Sequence, residues 1–241
     1  MTHLPTIYNI LLKKFGPQGW WPIINDKTLK CEYHQNAPKN NKEKLEISLG
    51  AILAQNTQWH PNVVIAIQNL KKTNLLDIRK IIKADNKKLA GIIRSSGYHN
   101  QKTIKLKNFC KYIEHNYKGD IGLFFKKDIP KLRGELLSIK GIGPETADSI
   151  ILYAAEKPVF VIDAYTRRIM SRIGICNEDA NYHELQEIFH NALDSDAQLF
   201  NEYHALFVEH AKQYCRKQNP LCHECPLLEL CNYGKQFIQE S

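Results

Sequence analysis

An all-α fold is what this sequence predicts, and two observations carry that expectation. Apolar residues recur at helical spacing through most of the chain. No stretch shows the apolar–polar alternation of a half-buried strand or the rhythm of strand–helix–strand units. With 241 residues and 43% hydrophobic content, the chain has room for one large domain or two small ones sharing a core. No apolar run approaches the roughly 20 residues needed to cross a bilayer, so no membrane association is expected.

The elements follow from the same spacing. Ile7, Ile10 and Leu11 place one apolar face on a short first helix, with neither the basic start nor the cleavage pattern of a secretory leader. A segment rich in Gly, Pro and Asn then runs to the low 40s and is too broken for a regular element. From Glu43 onward, Leu45, Leu49, Ile52 and Leu53 form a helical stripe, and Val63, Val64, Ile67 and Leu70 form another. Residues 76–83, 86–94 and 101–117 read as helices between Asn or Gly turns. Pro130 opens a helix through Leu132, Leu136 and Leu137. After Lys140-Gly141-Ile142-Gly143, Pro144 stands near the first turn of a helix whose apolar face is Ala147, Ile150, Ile151 and Ala154. Further helices are expected after Asp163 and over 182–193 and 197–214.

Charge and cysteine usage narrow the function classes. The formal charge is +8, from 33 Lys and Arg against 25 Asp and Glu. That favours a polyanionic partner, though the lysines are scattered and a solvated surface has the same composition. Cys31, Cys110 and Cys176 stand apart, whereas Cys215, Cys222, Cys225 and Cys231 crowd into the last part of the chain. Without a secretory leader, thiols are expected to ligate metal rather than form disulfides. The order C-x6-C-x2-C-x5-C suits four thiolates around zinc or around a [4Fe–4S] cluster, and spacing alone does not separate them. A cytoplasmic location, at the nucleoid if the polyanion is nucleic acid, is the matching expectation.

Three local patterns carry chemistry. Gly141 and Gly143 permit a sharp turn, and the helix that follows offers unpaired N–H groups to a phosphate. Asp163, in Val161-Ile-Asp-Ala-Tyr-Thr-Arg-Arg168, follows an apolar run and precedes a helix, where an ordinary N-cap is the plain reading. Trp20, Trp21 and Pro22 are consecutive, and Trp59 follows Ala54-Gln55-Asn56-Thr57.

Taken together, the four cysteines, the segment Leu137–Asp148 and Asp163 resemble the endonuclease III-like helix–hairpin–helix (HhH-GPD) DNA glycosylases. The resemblance implies a two-lobed helical fold: residues 30–157 would form a helical domain with the hairpin near 137–148, and 1–29 would pack with 158–241. It implies a [4Fe–4S] cluster, rather than zinc, on the four cysteines of a loop over 215–231, structural and not catalytic. It places Asp163 at the catalytic carboxylate, which stabilises positive charge on the deoxyribose or orients water as a flipped-out base leaves. It places Gln55 in the space vacated by that base. Lys140, Gly141, Ile142 and Gly143 would meet DNA, with Lys102, Arg216 and Lys217 as phosphate neighbours. DNA would lie in a groove between the lobes. The expected partner is double-stranded DNA with a damaged base, bound by a monomer.

Bifunctional members use a lysine in the hairpin's second helix; Glu145 stands there in this sequence, and a carboxylate forms no imine with the sugar. A monofunctional glycosylase is therefore expected. The G-W-W-P and L-A-Q-N-T-Q-W runs resemble a bacterial 3-methyladenine branch, in which an aromatic pair sandwiches the methylated base. By that resemblance Trp20 and Trp59 would be the sandwich, Pro22 an edge contact, and Trp21 and Tyr165 walls of the pocket. A π-rich pocket suits a cationic base. That branch lacks the cluster which the cysteines here imply. Oxidised pyrimidines, mismatched thymine or uracil are the alternative substrates. A DNA-binding module without catalysis is the non-enzymatic alternative.

Overall fold

The computed structural model describes residues 3–34 and 38–239. Residues 35–37 of the irregular segment, and residues 1, 2, 240 and 241 of the expected 1–29 and 158–241 ranges, lie outside the described residues. The helices run in the order α1 (Leu4–Phe15), α2 (Asn41–Leu53), α3 (Val64–Lys72), α4 (Ile78–Lys83), α5 (Asn86–Ile92), α6 (His99–Tyr117) and α7 (Ile121–Phe125). Then come α8 (Ile129–Ser138), α9 (Pro144–Ser149), α10 (Ala164–Ile173), α11 (Tyr182–Ala192), α12 (Ala197–Gln213) and α13 (Asn232–Gln239). Two two-residue strands, β1 (Ile23–Ile24) and β2 (Cys31–Glu32), pair antiparallel. Wider π-type turns at Trp59–Val63 and Ile150–Ala154 lead into α3 and continue α9.

Most helices start where an Asp or Asn side chain accepts the N–H groups their first turn leaves unpaired. Asn40, Asp77, Asp85, Asp120, Asp128, Asp163, Asn181 and Asp196 all do this. Asn181 adds a reciprocal bond from its own N–H to Glu184. Helices α7 and α13 were not expected. The first is five residues long, and the second follows directly on Cys231, the last of the cysteines.

The chain divides into two compact units: Gly19–Lys157, and Met1–Gln18 with Pro158–Ser241. In the first, α2 is the central helix, packed by α6, α7, α9 and the Ile150–Ala154 turn. Every residue from Leu45 to Leu53 is buried, so the expected one-sided stripe is in fact a helix covered all round. The buried Glu46 is matched accordingly. It accepts the Ile24 N–H at 2.7 Å and the Lys71 ammonium at 2.6 Å. Burial raises the Glu46 carboxyl above its usual value, with Lys71 offsetting part of that.

This contact corrects one boundary. Residues 19–29 were expected with the C-terminal part, but Ile23 and Ile24 pair with Glu32 and Cys31, and Lys71 also donates to the Ile24 carbonyl and to Asp26. The hairpin is thereby fastened to α2 and α3. In the second unit, α12 packs on α1 and α10, and α13 packs on α10. Phe160 stacks on Phe189 with centroids 3.7 Å apart, and Phe200, Tyr203 and Phe207 close around them. The buried Tyr203 hydroxyl donates to the Leu4 carbonyl at 2.8 Å, so its one polar atom is satisfied.

Candidate active site

In the Gly19–Lys157 unit, α8 and α9 flank the expected hairpin. Gly141 turns it at φ +104°, a left-handed conformation that favours glycine. A Cβ at Gly141 would stand 2.5 Å from Lys105 Cγ, so that position has neither the torsion nor the room for a side chain. Gly143 caps α9 in extended conformation with open space beside it, and Pro144 follows in the first turn. Ile142 is buried and anchors the turn, while Lys140 is exposed. Beneath the hairpin, Arg133 of α8 grips Asp148 of α9 with two bonds, of 2.7 and 3.1 Å. Asp148 is wholly buried, so this is a desolvated, bidentate clamp between the two helices.

Gln55 lies just beyond α2 and is held by three partners. Its Nε2 donates to the Gly141 carbonyl at 3.1 Å and to Thr146 Oγ1 at 2.9 Å, and Lys105 Nζ donates to its Oε1 at 2.5 Å. In this state the side chain ties α2 to the hairpin. Lys102, expected near phosphate, is instead buried, at 2% exposure. Its ammonium donates to the carbonyls of Leu53 and Ser96 at 2.8 and 2.5 Å, closing the end of α2. Burial, with Lys105 nearby, lowers its amine to about 8. Glu145 is exposed in the first turn of α9, where the helix dipole favours a carboxylate.

The three tryptophans do come together. Trp20 meets Trp21 and Trp59 at 5.4 and 5.8 Å between centroids, Trp21 meets Trp59 at 5.0 Å, and Tyr153 abuts Trp21 at 5.1 Å. The planes are steeply inclined, Trp20 and Trp59 at 61°. A base stacked between two rings needs roughly parallel faces about 7 Å apart, twice the ordinary contact distance. The expected sandwich is therefore corrected: edge-to-face packing closes the slot. Trp21, Pro22 and Trp59 are buried, and Trp20 is the half-exposed member. Gly50 on α2 makes the room, since a Cβ there would stand 3.2 Å from Trp59 and 3.3 Å from Trp21.

In the other unit, Asp163 caps α10. Its Oδ1 accepts the Thr166 N–H at 2.7 Å, and Oδ2 lies 3.6 Å from His204 Nε2 of α12. Burial alone would raise this carboxyl, but His204 and the Thr166 N–H outweigh it and hold the group below the usual aspartate value. The plain capping role and an available anion thus coexist. Tyr165 is half-buried, with the Arg168 guanidinium 5.3 Å from its ring.

Cys215, Cys222, Cys225 and Cys231 line one cavity, together with apolar groups from Ile169, Ile173, Pro220 and Leu227. Among the described residues, no three His, Cys, Asp or Glu side chains are arranged to hold a metal ion. Burial and then mutual repulsion push Cys222 and Cys231 up; Cys225 is pushed up to about 12. Arg172 organises the loop: it donates to Cys215 Sγ at 3.4 Å and to the Arg216 carbonyl at 2.7 Å, and covers the Tyr233 ring at 4.5 Å. Arg216 and Lys217 are exposed. His204, Arg172, Lys105 and Arg133 were not singled out from sequence, because each acts on a residue remote along the chain and no local motif marks it.

Comparison with known proteins agrees with this geometry. Residues 49–194 match the family described as HhH-GPD superfamily base excision DNA repair protein. A protein of Methanocaldococcus jannaschii, provisionally named a DNA repair glycosylase, is 46% identical over 93% of this chain and 94% of its own. Endonuclease III of Sulfolobus acidocaldarius is 31% identical over 77% of this chain and 80% of its own. Among solved structures, H. pylori 3-methyladenine DNA glycosylase bound to 1,N6-ethenoadenine superposes with a TM-score of 0.68 at 28% identity, covering 88% of this chain and 98% of that one. With more than half of the sequence matched by the family and a relative nearly half identical along almost its full length, this chain belongs to the HhH-GPD superfamily of base excision DNA repair proteins.

Proposed function

We propose that this DNA glycosylase is monofunctional and hydrolyses the N-glycosidic bond of alkylated purines in duplex DNA, 3-methyladenine above others. The observation that carries the hydrolytic part is the Asp163 carboxylate, held anionic and oriented by Thr166 and His204. Loss of a base leaves positive charge on the deoxyribose, and a fixed carboxylate stabilises that charge and orients water. A cationic methylated base departs readily, so one carboxylate suffices. Glu145, where bifunctional members carry lysine, supplies no amine for an imine.

Alkylpurine preference is supported by the aromatic cluster and by the likeness to the H. pylori enzyme. Trp20 offers a half-exposed face on which a cationic base stacks. Trp59 and Trp21 back that ring rather than close a second face. The hairpin, with open space at Gly143 and the N-terminus of α9, meets phosphate without reading sequence.

Cys215, Cys222, Cys225 and Cys231 lining one cavity are a donor set of four thiols, which suits a [4Fe–4S] cluster. The four cysteines would hold such a cluster as thiolates, giving up their protons on ligation, and the group would serve as a structural tie for the loop.

Purified protein incubated with duplexes carrying 3-methyladenine, 7-methylguanine, thymine glycol, uracil and an abasic site tests the substrate. Release of the alkylpurines without strand nicking or borohydride trapping is the expected result. Rapid release of thymine glycol with β-elimination, and no alkylpurine release, would overturn it.

A further inference from the structure

The Asp163 carboxylate has a neighbour at each oxygen, a hydrogen bond at Oδ1 and a longer electrostatic contact at Oδ2. On Oδ1 the Thr166 N–H, at 2.7 Å, belongs to the helix that Asp163 itself caps. That bond is the ordinary consequence of an aspartate before a helix. The second contact comes from another helix: His204 of α12, which packs on α10, brings Nε2 to 3.6 Å from Oδ2. Both side chains are largely withdrawn from water, at 11% and 14% exposure. The imidazole is also fixed in place, edge-on to the Phe160 ring at 6.4 Å between centroids. A bare lone pair on Nε2 would face an anionic oxygen, so this nitrogen carries its proton toward Asp163 in either charge state of the ring. At 3.6 Å the contact is electrostatic rather than a tight hydrogen bond.

From this arrangement we propose that His204 is a positioning residue for Asp163: its Nε2–H restrains Oδ2, so that the carboxylate cannot rotate about the Thr166 bond. The inference rests on the reading of Asp163 given above. A cap needs one oxygen held, whereas a carboxylate that must meet a developing charge needs its orientation set at both. Preorganisation of that kind matters most where water is scarce, because there the carboxylate's interactions are strongest and cost no reorganisation during the reaction.

Four proteins decide the matter: wild type, D163N, H204Q and H204L. Single-turnover release is measured with whichever base the wild type excises, and affinity with a duplex carrying a tetrahydrofuran abasic-site analogue. Glutamine puts its Nε2–H close to where the imidazole has its own, so H204Q is expected to stay within about threefold of wild type. H204L loses the donor and is expected to fall about tenfold or more in rate, the scale of one hydrogen-bond-like contact to a charged group, with unchanged affinity. Thermal melts of both variants report whether α12 remains packed. A wild-type rate in H204L overturns the proposal. So do equal losses in H204Q and H204L, or a loss in H204L matched by weaker affinity and a lower melting point, since those mark a structural role. Should D163N keep the wild-type rate, the reading of Asp163 fails first, and that outcome is distinct from failure at His204.

Discussion

Replacing Asp148 by asparagine tests what holds the hairpin. Asp148 has no exposed surface, and the Arg133 side chain is 18% exposed. Arg133 Nε donates to one carboxylate oxygen at 2.7 Å and Nη2 to the other at 3.1 Å, joining α8 to α9 across the Gly141 turn. In D148N the guanidinium keeps its charge and loses the Asp148 carboxylate in a site with little water. Removing one partner of a buried pair costs about 3–5 kcal/mol. The partial exposure of Arg133 argues for the lower end, about 3 kcal/mol. For a chain of this size each kcal/mol lowers the melting temperature by about 2–4 °C, so a drop of about 6–12 °C is expected by circular dichroism. Affinity for undamaged duplex should fall as well if the hairpin meets phosphate as proposed, since the clamp holds its two helices together. The double variant R133M/D148L, which removes both charges, should recover to within about 1 kcal/mol of wild type, since apolar replacement of a buried pair is often neutral. A D148N melt within about 1 °C of wild type, or a double variant no better than the single one, would refute the reasoning.

Three other outcomes follow from the site. Asp163 is held below the usual aspartate value of 3.8, so its stabilising contribution is full above that pH and is lost only as pH falls through the lower folded value. Base release should accordingly show no acid limb from Asp163 between pH 4 and 7, about the range a pH–rate profile must cover; an Asp163 carboxyl seen by NMR to titrate inside that range would contradict this. Gly141→Ala must strain a left-handed torsion and displace Lys105, so it should cost about 1–2 kcal/mol in melting experiments and weaken binding to all DNA sequences alike. Cys225→Ala should abolish the brown colour and broad visible absorbance expected of a cluster and lower the melting temperature of the C-terminal unit, whereas a colourless wild type containing zinc would replace the cluster with a single ion.

Much of the fold was legible because helix formation leaves local marks. Asp163, Asn181 and Asp196 precede apolar periods, so α10, α11 and α12 start within a residue or two of where the spacing places them. The same argument passes over α7, a five-residue helix with no full apolar period, and α13, whose short amphipathic pattern follows directly on the cysteines. It fails differently at α2, whose stripe of leucines says which face is apolar but not that Glu46 and Ser48 are buried too. Burying Glu46 requires Lys71 and the Ile24 N–H, and neither partnership follows from local sequence.

The site divides along the same line. By itself the sequence showed four cysteines at short spacing, two glycines before a helix and an aspartate at the head of α10; reading Asp163 as catalytic and Glu145 as standing where a lyase lysine would be came from the family resemblance. Only tertiary packing decided that Lys102 caps α2 rather than facing DNA and that Gln55 ties α2 to the hairpin through Gly141, Thr146 and Lys105. It alone decided that Trp20 and Trp59 meet edge to face, and that His204 stands against Asp163. The physical reason is that a side chain's partners depend on which helices pack and at what angle, and chain proximity carries no record of either.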